Sequence, residues 1–117
     1  MFAQGSLLSR RPLSDTEFTT LYTAHLPTEI TRIMVCNVSS DTKAFSMYQN
    51  TPTTSDDYTL FRGAEIPADG TWAFEINTVG GGIFMIPGDT LGIVAAEANT
   101  LVVFIYGVII NLAPGAV

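Results

Sequence analysis

About eight short segments rich in aromatic and β-branched residues recur roughly every 8–12 positions, each closed by Gly, Pro, Asn, Asp or Ser. No stretch keeps a 3.6-residue apolar period long enough to form a helix. This spacing excludes helical bundles and α/β folds, whose elements are longer. It predicts an all-β chain: a single-domain antiparallel β-sandwich or jelly roll.

The predicted strands are Phe18 to Thr23, Ile30 to Val38, Lys43 to Gln49, Tyr58 to Arg62, Thr71 to Ile76, Ile83 to Ile86, Leu91 to Ala95 and Leu101 to Ile110. The clearest alternation puts Trp72, Phe74 and Ile76 on one face and Thr71, Ala73 and Glu75 on the other, so the single tryptophan is expected to point inward. Leu101 to Ile110 (LVVFIYGVII) is apolar on both faces over most of its length. A strand of an antiparallel sheet usually has one wet face, so Phe104 and Tyr106 are expected to meet another subunit. Gly107 marks a bulge or a close backbone approach. The same segment is about half the length needed to cross a bilayer, so no membrane partner is expected.

Residues 1–17 fit neither period. Gly5, Ser6, Ser9, Pro12 and Ser14 interrupt them, yet Phe2, Leu7, Leu8 and Leu13 are more apolar than a disordered tail requires. They are expected to form an extended arm, with a sandwich domain over 18–113 and a tail at 114–117. Phe2, Leu7 and Leu8 are expected to dock on a neighbour, and Arg10 and Arg11 to pair with its acidic surface. Deleting residues 1–13 should then leave a folded domain that no longer assembles. Met1 to Ser9 has neither a basic start nor a long apolar run, so no export signal is expected.

Charge supports an assembling protein. Charged residues make up 14% of the chain and apolar ones 47%, with a mean hydropathy of +0.33. A typical soluble domain is about 25% charged, so part of this surface is expected to be hidden by partners. The net charge is −6, with three positive and eleven negative residues after Arg11. That balance argues against nucleic acid, whose phosphates need lysine and arginine. The lone Cys36 excludes an internal disulfide and fits assembly in a reducing cytoplasm.

The order of turns and strands resembles a family of small β-sandwich virion proteins of tailed phages. The segments that carry the resemblance are Leu21-Tyr22-Thr23, Val35-Cys36-Asn37-Val38-Ser39, Ala44-Phe45-Ser46, Ile66-Pro67-Ala68-Asp69-Gly70, Ile86-Pro87-Gly88-Asp89-Thr90-Leu91 and Tyr106-Gly107-Val108-Ile109. It spans roughly residues 20 to 110 and is made of turns and core positions. It implies a virion structural protein: foremost a capsid decoration (cement) protein, a homotrimer holding major capsid subunits together on the shell, or else a neck, tail or baseplate component. Pro67 and Pro87 independently suit turn starts, Gly70 and Gly88 suit positive φ, and Asn37 suits a strand end.

No residue set points to catalysis, a cofactor or a metal. His25 is the single histidine, in a turn-like segment. Cys36 lies mid-strand, where packing is the better reading than nucleophilic attack. Asp41, Asp56 and Asp57 lie in loops without a calcium-loop pattern. Gly80-Gly81-Gly82 is followed by neither a lysine nor a helix start. Glu65, Glu75 and Glu97 form no acid–base pair. The chain is therefore not expected to be an enzyme. A carbohydrate-binding module is the rival from another class, with Tyr22, Tyr48 and Tyr58 as its candidate platforms.

Overall fold

The computed structural model describes residues 6–14, 16–50, 57–76 and 82–110, the backbone alone at residues 57 and 58. Phe2, most of the loop at 51–57, Gly80, Gly81 and the 114–117 tail lie outside the described residues.

The described residues form nine strands and no helix: β1 (Ser6–Pro12), β2 (Thr19–Thr23), β3 (Thr28–Asn37), β4 (Lys43–Asn50), β5 (Asp57–Ile66), β6 (Thr71–Glu75), β7 (Ile83–Met85), β8 (Thr90–Ala95) and β9 (Leu101–Ile109). One sheet has the order β1-β9-β3-β6, and the other β2-β8-β4-β5. β6 pairs with Arg32 to Cys36 of β3, and β7 with Thr28 to Ile30 of the same strand. The two are therefore successive pieces of one edge position. With that position counted once, each sheet has four antiparallel strands, and only the β4–β5 connection stays within a sheet. This is jelly-roll topology.

The core lies between the sheets. Ile33 and Val35 of β3 and Leu101, Val103 and Ile105 of β9 face Phe45 and Met47 of β4 and Leu91, Ile93 and Ala95 of β8, and all are buried. Each large side chain buried this way contributes at most about 1.5–3 kcal/mol. Trp72 points inward as its alternation predicts, although half-buried. It closes the flank between β5 and β6, edge-on to Phe45 and Phe61 with ring centroids 5.0 and 4.7 Å away.

The expected arm is corrected by β1. Residues 6–12 pair antiparallel with β9 of their own chain, and the sandwich starts no later than Ser6. β9 is interior to the sheet and needs a partner on both edges: β3 supplies one and β1 the other. Leu13 is 2% exposed, its N–H donating to the Leu101 carbonyl at 3.0 Å and its carbonyl accepting from Asn99 at 2.9 Å. A bulge between Leu7 and Ser9 breaks the alternation, which is why this strand carries no period-two signature. β5 likewise outruns its predicted Tyr58 to Arg62, because bulges and Gly63 at φ 60° interrupt its pattern.

Turn chemistry is as expected at Gly88, which takes φ 95°. In the Pro67–Gly70 turn the positive φ falls on Asp69, at 55°, rather than on Gly70. Gly107 is a close approach: a β-carbon there would stand 2.6 Å from the Glu29 carbonyl oxygen and 2.8 Å from Leu8 Cδ1. The opposing strand is bulged between Ile30 and Arg32.

Candidate functional site

Strand register places side chains in rows on the outer side of the β1-β9-β3-β6 sheet. One row reads Leu7, Tyr106, Arg32, Glu75. The next reads Arg10, Phe104, Met34, Ala73, and the third Pro12, Val102, Cys36, Thr71. Beyond the first row, Val108, Glu29 and Phe84 continue the face across β9, β3 and β7. The inward residues between them (Ile33, Val35, Val103, Ile105) are buried, so alternation sends these rows outward. Leu7 is 47% exposed and Phe84 54%, while Phe104, Tyr106, Met34, Cys36 and Val102 are half-buried by their neighbours in the sheet.

The centre of this face is apolar and its charges are ordered. Arg32 pairs with Glu75 at 3.5 Å and lies over the Tyr106 ring, 5.5 Å from its centroid. Glu29 is 4% exposed, and its Oε2 accepts the Gly82 N–H at 2.9 Å. Arg10 stands exposed at the β1 edge. A contiguous apolar sheet face of this kind is the usual mark of an interaction surface.

Four of the expected contact residues (Leu7, Arg10, Phe104 and Tyr106) come together on this face. Leu8 and Arg11 do not. The bulge turns Leu8 inward, where it packs against the core and over Gly107, so it is not available to fill a neighbour's groove. Arg11 folds across the flank to β2, its Nη1 donating to the Thr20 carbonyl at 3.4 Å. Phe2 lies outside the described residues.

Cys36 also departs from expectation. It sits on the outer face, half-exposed, with the Thr71 hydroxyl 3.7 Å from its sulfur, and is not packed inside the sandwich. His25 is exposed between β2 and β3. Among the described residues no three His, Cys, Asp or Glu gather in a group able to hold a metal ion. Glu97 pairs with Lys43, and that hydrogen bond, with the attraction of Glu97 and Asp41, raises the Lys43 ammonium above its ordinary pKa. Tyr22 hydrogen-bonds Thr28 at 3.4 Å, Tyr48 lies beside Phe18 with centroids 6.1 Å apart, and both tyrosines are half-buried. The Tyr58 side chain lies outside the described residues. A shallow depression of about 150 Å³ on the other sheet is lined by Ala44, Phe45, Ser46, Gly63, Val94 and Ala96 and has no charged group.

Two buried polar side chains hold turns in place: Asp89 bonds back to its own turn, as Asp in such a turn is expected to, and Asn37 reaches beyond the strand end that it was expected to mark. Asn37 is 2% exposed and ties the end of β3 to two loops. Its Nδ2 donates to the carbonyls of Asp41, Ile66 and Pro67 at 2.8, 2.9 and 3.1 Å. Its Oδ1 accepts from the Ser39 N–H and hydroxyl at 2.9 and 2.7 Å. Asp89 is 3% exposed and accepts from the Ile86 N–H at 3.1 Å and Gln49 Nε2 at 3.2 Å, closing the Pro87-Gly88 turn. No family model matches this chain, and no curated protein matches it in sequence.

Proposed function

We propose that this chain is a non-catalytic virion structural protein of a tailed phage, foremost a capsid decoration protein that stabilises contacts between major capsid subunits. The observation that carries the assembly part is the outer face of β9: Val102, Phe104, Tyr106 and Val108, each half-buried by its neighbours, form a row continued by the half-buried Met34 and Cys36 and the exposed Leu7. An apolar face on a chain this poor in charge is a surface built to be covered. The jelly roll agrees with that reading without naming it, since the fold serves capsid proteins, lectins and enzymes alike. The phage and shell assignment rests on the turn-and-strand resemblance. The action is mechanical: many modest contacts repeated over a shell sum to a large resistance to disassembly.

The test is to add the purified full chain to tailed-phage capsids that lack their decoration protein, and to count bound copies per particle by quantitative imaging. Hundreds of copies with raised thermal stability of the shell support the decoration reading. Binding at six or twelve positions on whole particles moves the chain to the neck, tail or baseplate. Absence of binding to any phage particle removes the virion reading.

A further inference from the structure

We infer that the outer face of the β1-β9-β3-β6 sheet is the self-association surface of this protein, and that two copies meet on it face to face about a two-fold axis parallel to the strands. The inference shares with the proposed function the premise that this face is covered. It goes further by naming the occupant, a second copy of the chain, and the way it sits.

Charge placement selects that occupant. The chain carries −6, so most approaches of one copy to another bring acidic surfaces together. On this face the exposed charges among the described residues are Arg10, Arg32 and Glu75, with Glu29 buried behind them, so the chain's acidic excess is not presented there and two copies can meet. The charges are also separated across the sheet: Arg10 lies on the β1 edge and Glu75 on the β6 edge, with Phe104, Met34, Val102 and Cys36 between them. A face that meets its own likeness does so about a two-fold axis, which leaves two simple choices. An axis across the strands lays β1 on β1 and sets Arg10 against the second copy's Arg10. An axis along the strands lays β1 on β6. Arg10 then stands over Ala73 of the second copy, with that copy's Glu75 one row, about 7 Å, further along, within reach of an arginine side chain. The second arrangement satisfies both edges at once and stacks β9 of each copy over β3 of the other. Sheets packed this way are aligned to within about 30° and lie about 10 Å apart.

Four strands about 4.8 Å apart and three to four rows about 7 Å apart give a flat area of roughly 400–500 Å² per copy. That is below the roughly 800 Å² per partner of a standard interface, so the pair is expected to form in the micromolar range.

The experiment measures the mass of the full chain by light scattering and sedimentation across a concentration series, with circular dichroism as the fold check on every variant. Wild type should run from one copy to two. Arg10→Glu and Glu75→Arg should each weaken pairing at least tenfold by setting like charges across the interface. The double swap Arg10→Glu with Glu75→Arg should restore it to within a few-fold. Both positions are exposed, and although Glu75→Arg also breaks the Arg32 pair within its own chain, Arg10→Glu leaves that pair intact, so these variants remain informative even if the central Phe104→Asp does not fold. Where Phe104→Asp does fold, it should be monomeric, with its Cys36 thiol reacting faster with a maleimide than in the paired wild type. A wild-type monomer at every concentration overturns the inference, whether Cys36 is open or is covered by another part of the chain. So does a three-copy mass, or a double swap no better than the singles. A chain that pairs as described but ignores phage particles sinks the virion reading alone. A chain that decorates shells as a monomer sinks the pairing alone.

Discussion

Replacing Asn37 with alanine should cost this fold more than any other exchange of a single polar side chain. The amide holds the end of β3, the 38–42 loop and the Pro67–Gly70 turn in one place, through five hydrogen bonds of 2.7 to 3.1 Å. Two Nδ2 hydrogens serve three carbonyls, so the five contacts use four hydrogens, one of them shared between two acceptors. A net contribution of about 1 kcal/mol per bond gives roughly 4 kcal/mol, and water reaching the exposed side of the 38–42 loop returns part of it. The expected loss is about 3 kcal/mol, a large share of the 5–15 kcal/mol that holds a domain together. Asn37→Asp should be at least as damaging, because it turns both donors into acceptors facing three carbonyl oxygens. Urea unfolding followed by Trp72 fluorescence reads the effect directly, since the indole packs on Phe45 and Phe61 in the folded state. At a slope of about 1.5 kcal/mol/M, the midpoint should fall by about 2 M with the slope unchanged. A drop below about 0.7 M would show that the strand end and the two loops hold their places without Asn37, and the reasoning would fail.

Two further outcomes follow from the same structure. Deleting residues 1–13 removes β1 and the buried Leu13 and bares one edge of β9, so the product should lose its cooperative melt or precipitate; a soluble domain with the wild-type melting temperature would restore the arm as a separate element. Gly107→Ala drives a methyl into backbone at the Glu29 carbonyl and should cost about 2 kcal/mol or more, whereas Gly92→Ala meets only the Phe18 ring, itself 41% exposed and able to swing away, and should cost under half as much by the same urea assay.

The parts of this fold that the sequence announces are those where one face is wet. In β4, Phe45 and Met47 alternate with Ala44, Ser46 and Tyr48, and in β6 Trp72 and Phe74 alternate with Thr71, Ala73 and Glu75; both strands lie where the pattern puts them. β1 stayed hidden because its bulge puts Leu7 and Arg10, three residues apart, on the outer face and Leu8 and Ser9 together on the inner side, so no period of two runs through the strand. The same bulge explains the divided outcome at the expected contact residues. Sequence spacing cannot tell which leucine of Leu7-Leu8 or which arginine of Arg10-Arg11 faces outward, because that depends on which residue the register skips. Asn37 was legible as a strand end but not as a hub, since the carbonyls of Ile66 and Pro67 that it holds are roughly thirty positions away.

Once β1 belongs to the sheet, the feature that suggested a partner has a different physical basis. A free arm would have had to carry a subunit contact from one copy to the next. The structure packs Leu8 against its own core and sends Arg11 across the flank to Thr20, and it puts Leu7 and Arg10 at the rim of a face whose centre is β9. β9 is apolar on its inner side because it is core. Its outer side is apolar without a covering layer among the described residues. In water that outer side is a standing cost, which any partner of matching shape and charge reduces. Selection for solubility alone would have placed polar residues at Val102, Phe104 and Val108, as it has at Thr71 and Glu75 on the adjoining edge. Under the pairing proposed above, these side chains in the middle of a four-stranded face, with an arginine at one rim and a glutamate at the other, are the ones a second copy would cover.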